Sequence, residues 1–148
     1  MYQDGLVSPA KYNVVSTGAS LYLSPYTDMS IDYSLQYAYD DMRPENGDKT
    51  SFNSWQHTAK VIVPAGKLRF TLKGEYDHNQ LMPSKYKDIF FTDAIVGLAT
   101  RHIDYELGLN NLFNKQSYSR STVANLTALR SETMLRGREL LLTLAYKP

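Results

Sequence analysis

The chain has 148 residues with 16 Lys+Arg against 15 Asp+Glu, a formal net charge of +1, so no global field recruits nucleic acid or an acidic partner. It has no cysteine, which excludes a disulfide framework, a thiolate metal site and a cysteine nucleophile. No run reaches the roughly 18–20 apolar residues of a transmembrane helix, whereas twelve tyrosines, five phenylalanines and Trp55 favour strands. The start, MYQDGLVSPAKY, lacks the basic and apolar regions of a signal peptide, which suggests a cytosolic chain or an internal piece of a longer precursor. No linker or composition shift divides the chain, and residues 1–148 are read as one unit.

In chain order, period-two alternation predicts strands over Asn13–Leu23, Met29–Tyr39, Ser54–Val63, Leu68–His78, Phe90–Ala99, Ile103–Phe113 and Arg138–Lys147. Each runs to about ten residues, longer than the usual five or six and close to the 9–11 that cross a bilayer. The connections Ser24–Asp28, Pro64–Lys67 and Ala99–His102 are tight, and Asp40–Asn53, Asn79–Ile89 and Asn114–Gly137 are long. Short and long ends therefore fall on opposite sides of the sheet, the arrangement of an up-and-down transmembrane β-barrel.

The apolar row of these strands carries no Asp, Glu, Lys or Arg. It runs through Met29, Ile31, Tyr33 and Leu35, then Trp55 to Val63, Leu68 to Tyr76, Phe90 to Leu98 and Ile103 to Leu109, and ends with Leu140, Leu142, Leu144 and Tyr146. The opposite parity carries Asp32, Lys60, Arg69, Lys73, Glu75, Asp93, Asp104 and Glu106 among serines, threonines and glutamines. In an all-β antiparallel barrel the first row, including Leu35, Leu140, Leu142, Leu144 and Tyr146, faces lipid, and the charged set faces a lumen. A soluble β-sandwich or small closed barrel acting as a binding module also hides one face and wets the other. Strand length, sorted loops and aromatics at strand ends favour the membrane.

The lumen-facing charges read as a solute path or a docking wall, or more plainly as a solvated, compensated surface. His57, His78 and His102 are isolated and have no metal-ligand spacing, so no metal or other cofactor is expected. Asp77 and His78 with Ser84 form no oriented hydrolytic set, and the chain is not expected to be an enzyme.

The segment YELGLNNLFNKQSYS (Tyr105–Ser119), followed by RGRELLLTLAYKP (Arg136–Pro148), resembles the ending of TonB-dependent receptors and related outer-membrane barrels of Gram-negative bacteria. The carrying positions are Asn110, Asn111, Leu112 and Phe113, with Arg136 and Arg138 entering the last strand. The resemblance covers about the last 45 residues; upstream only the strand pattern agrees. It implies the C-terminal portion of a larger barrel in the bacterial outer membrane, serving nutrient uptake. Its partners would be outer-membrane lipid, the remaining strands, a plug domain and TonB-type energy coupling carried by absent parts. Pro148 stands where such proteins usually end in an aromatic residue. An eighth strand from Lys115–Thr127 closing a small barrel is the alternative for a complete chain.

Overall fold

A computed structural model describes residues 10–44, 48–124 and 127–147, and among these it contains strands and no helix. The elements are β1 (Ala10–Leu23), β2 (Ser30–Pro44), β3 (Thr50–Ala65), β4 (Leu68–Asn79), β5 (Asp88–Ala99), β6 (Ile103–Asn110), β7 (Ser117–Ala124), β8 (Thr127–Met134) and β9 (Glu139–Tyr146). Six strands follow one another as an antiparallel meander and β9 adds beside β6, giving the order β1-β2-β3-β4-β5-β6-β9. The sheet is open, with β1 at one edge and β9 at the other.

Local chemistry sets the tight turns. Between β1 and β2 the Ser24 hydroxyl donates to the Met29 carbonyl at 3.1 Å, and Asp28 takes a left-handed φ of 63°. Between β3 and β4 the left-handed position, φ 64°, falls on Gly66, where the missing Cβ removes the steric cost. Between β5 and β6 the Ile103 amide donates to the Thr100 hydroxyl oxygen at 3.1 Å.

All seven strands expected from alternation exist, but two long connections differ. β2 runs on to Pro44 and β3 begins at Thr50, so the 40–53 connection is mostly strand. The last connection contains its own hairpin, β7 paired with β8 in a separate two-stranded sheet. The segment offered as a closing eighth strand therefore does become a strand at Ser117–Ala124. It pairs with β8 rather than with either sheet edge.

Register carries the alternation across the sheet without a slip. Leu21 opposes Tyr33, which opposes Ala59, then Gly74, then Thr92 on the apolar face. Val63, Phe70, Val96, Leu107 and Leu142 form a second such row. A one-residue shift would put every apolar side chain on the charged face.

Both faces of the sheet are open among the described residues, the apolar one included. Leu72 is 51% exposed, Leu107 46% and Leu142 65%. Buried apolar side chains among the described residues are Phe52, Met82 and Ile89; Phe52 and Ile89 share the polar parity, and Met82 comes from the connection between β4 and β5. That connection is tied down where the Gln80 amide donates to the Asn53 carbonyl at 3.0 Å and the Asn53 amide to Gln80 Oε1 at 3.1 Å.

Candidate functional site

On the polar side of the sheet, residues of β1 to β5 line one trough of about 540 Å³. Five of the eight sequence-predicted polar residues meet there: Asp32, Lys60, Lys73, Glu75 and Asp93. Four are brought into a single row by register, Asp32 opposite Lys60, Lys60 opposite Lys73 and Lys73 opposite Asp93. Two like charges directly opposed repel one another, and a carboxylate on each side offsets this. Gln56 Nε2 donates to Glu75 Oε1 at 3.2 Å, and the Ser34 and Thr58 hydroxyls lie 2.5 Å apart. The row is wet and compensated, and among the described residues no group of carboxylates and histidines is arranged to hold a metal ion.

The other three predicted residues lie nearer the tight turns. Arg69 passes its guanidinium over Gly97, where a Cβ would lie 3.8 Å from it, and reaches Glu106 Oε2 at 3.8 Å two strands away. Lys147 Nζ meets Asp104 Oδ1 at 2.7 Å. Exposed pairs of this kind contribute little stability and serve to keep the face neutral.

Towards the long connections a second space of about 860 Å³ opens, bordered by Tyr12, Gln36, Asp40, Asp77, His78 and Tyr86. The Tyr12 hydroxyl donates to Asp40, which is buried. At the first position of β5, beyond the last apolar residue of the strand, Asp88 Oδ1 accepts from His78 Nδ1 at 2.7 Å and from the Tyr76 hydroxyl at 2.6 Å. The bond from His78 first and that from Tyr76 second hold the carboxyl below the usual range. His78 is thus oriented by Asp88 across the strand pair, a partnership that β4–β5 register brings about.

The NNLFNK stretch forms the best-defined polar construction in the structure. Asn111 and Asn114 both adopt left-handed φ, 54° and 53°, conformations asparagine tolerates better than most residues. The Asn111 amide donates to Asp93 Oδ1 at 2.8 Å, which locks the turn to the charged row of β5. Asn111 Nδ2 donates to the Lys115 carbonyl at 2.7 Å and the Arg136 carbonyl at 3.0 Å, and Asn111 Oδ1 accepts from the Lys115 amide at 2.8 Å. One side chain therefore holds both legs of the β7–β8 hairpin. Arg138 completes the clamp, with Nε and an Nη donating to the Leu112 carbonyl at 3.1 and 2.7 Å and its amide donating to Asn114 Oδ1 at 3.0 Å. Gly137 leaves room for this bond, since a Cβ there would lie 2.9 Å from Asn114 Oδ1 and push that side chain aside.

Comparison with protein families, curated proteins and solved structures gives no match.

Of the motif residues, Asn111, Leu112, Arg138 and, through its carbonyl, Arg136 act in the clamp directly. Asn110 is the last residue of β6, Phe113 packs its ring 5.4 Å from Phe90 on the apolar face, and Arg136 pairs with Glu139 at 3.5 Å. Asp93 and Asn114 belong to the clamp as well, and their part follows from the fold.

Proposed function

We propose that this sheet is part of the wall of an outer-membrane β-barrel resembling a TonB-dependent receptor, contributing to nutrient uptake across the bacterial outer membrane. The carrying observation is an exposed apolar row that is free of charge between the strand ends on all seven strands, while Asp32, Lys60, Lys73, Glu75 and Asp93 line a trough on the other side. In water an exposed apolar surface of this extent is unfavourable; in a bilayer it is the required surface, and the charged trough becomes the lumen. Tyr37 and Trp55, their rings 4.3 Å apart, together with Tyr76 and Phe90, lie where an interfacial aromatic girdle belongs.

On this reading the open edges of β1 and β9 need partner strands. Unpaired backbone groups are not tolerated in hydrocarbon, so a sheet that spans lipid needs neighbouring strands on both sides. These come from the rest of the barrel. The trough then faces a solute path or a plug domain, and energy coupling resides in other parts of the assembly.

Because the chain has no cysteine, single cysteines report topology cleanly. With the barrel exported to the outer membrane of intact cells, a membrane-impermeant maleimide is expected to label cysteines replacing Ser84 or Ser131, on the long-connection side. It should spare one replacing Lys67 at the tight turn until the cells are opened. Equal labelling of all three in intact cells would contradict the proposal.

A further inference from the structure

At the centre of the trough, register sets Tyr22, Asp32, Lys60, Lys73 and Asp93 side by side on five adjacent strands. The four charges offset one another in sum but not in contact. Among the described residues neither ammonium has an ion-pair partner, and Asp32 accepts no hydrogen bond. The other carboxylates of the trough each spend an oxygen elsewhere, Asp93 Oδ1 on the Asn111 amide at 2.8 Å and Glu75 Oε1 on Gln56 Nε2 at 3.2 Å. Three free charges therefore stand next to one another, Asp32 on β2, Lys60 on β3 and Lys73 on β4. Two ammonium groups opposed across a strand pair repel, and an anion shared between them replaces the repulsion with two charge-assisted bonds.

We propose that this row binds a short zwitterionic peptide, its C-terminal carboxylate shared by Lys60 and Lys73 and its N-terminal ammonium on Asp32. The inference names the solute class of the path proposed above and rests on that reading. Charge decides between classes. A simple anion would meet three carboxylates in the lining, Asp32, Glu75 and Asp93, against two ammonium groups, and a simple cation would meet the lysine pair. A molecule with one charge of each sign satisfies both. Spacing sets its length: strands lie about 4.8 Å apart, so the midpoint of the lysine pair is about 7 Å from Asp32, and two extended residues span about 7 Å. A free amino acid, with both charged groups on one carbon atom, is too short. The Tyr22 ring, 65% exposed at the β1 end of the row, offers a surface to the side chain of the N-terminal residue, and about 540 Å³ admits a molecule of this size.

The test titrates dialanine into the full chain in phospholipid vesicles and follows the heat of binding, with alanine, N-acetyl-dialanine, dialanine amide and inorganic phosphate as comparison probes. Dialanine is expected to bind about tenfold more tightly than each of these, the factor one hydrogen bond to a charged group supplies. Lys60→Gln and Lys73→Gln should each weaken dialanine about tenfold. Asp32→Asn should weaken dialanine by the same factor without weakening N-acetyl-dialanine, which has no ammonium to lose. Arg69→Gln, which removes a charge outside the row, should leave the affinity for dialanine unchanged. Phosphate bound as tightly as dialanine would show a general anion site, and dialanine binding that survives Asp32→Asn or both lysine variants would put the peptide elsewhere. Either result overturns the proposal, as does an inserted chain that binds no dialanine. Insertion is read separately from Trp55: if its emission answers to aqueous iodide and not to brominated lipid, the membrane reading falls, while the titration still decides the site.

Discussion

Replacing Leu72 by arginine is expected to abolish stable insertion of the sheet, whereas Thr71→Arg, one residue earlier on the same strand, should be tolerated. Leu72 stands on the exposed apolar face between Val61 and Ala94, and Thr71 points to the polar side between Ile62 and Ile95. A basic side chain near the bilayer midplane costs about 2–4 kcal/mol, and one in a wet lumen costs little. Urea titrations of both variants in phospholipid vesicles measure the difference. Equal stabilities would mean that both faces meet the same solvent.

The second large effect is expected at the clamp. Asn111→Ala removes three hydrogen bonds, two from Nδ2 and one to Oδ1, and forces alanine into a φ of 54°. Net hydrogen-bond contributions of around 1 kcal/mol each and a left-handed penalty of 1–2 kcal/mol give a loss of about 3 kcal/mol, with partial relaxation allowed for. Asn111→Gly loses the same bonds but not the conformational freedom, and should recover about 1 kcal/mol of this. The damage should be local. Hydrogen exchange is expected to accelerate over β7, β8 and the start of β9 while β3 and β4 stay protected, because a two-stranded hairpin is at best marginal without its anchor. Acceleration spread evenly over all strands would show that Asn111 has no special hold on the hairpin.

The meander was legible because each of its strands pairs an apolar row with a polar one. β7 and β8, SYSRSTVA and TALRSETM, carry no apolar row of comparable length, so no period-two signal separates them from a solvated loop. Parity told which way Arg69, Asp104 and Glu106 point, but not their level along the strands, which depends on register. The lumen set accordingly divided into a trough of five and two separate pairs, Arg69 with Glu106 and Asp104 with Lys147.

The clamp shows a different limit. NNLFNK and RGR are visible as strings, yet Arg138 lies 26 positions from the carbonyl it binds, and nothing local in either string specifies that closure. Asp93, which parity places on the charged face, also spends one oxygen on the Asn111 amide.

Trp55, the one tryptophan of the chain, sits on the apolar face beside Tyr37 and offers the most direct measurement of what that face touches. In phospholipid vesicles its emission is expected to be blue-shifted, quenched most strongly by lipids brominated near the ester end of the acyl chain, and little affected by aqueous iodide. Strong quenching by iodide with no response to brominated lipid would contradict the assignment of this face to the bilayer.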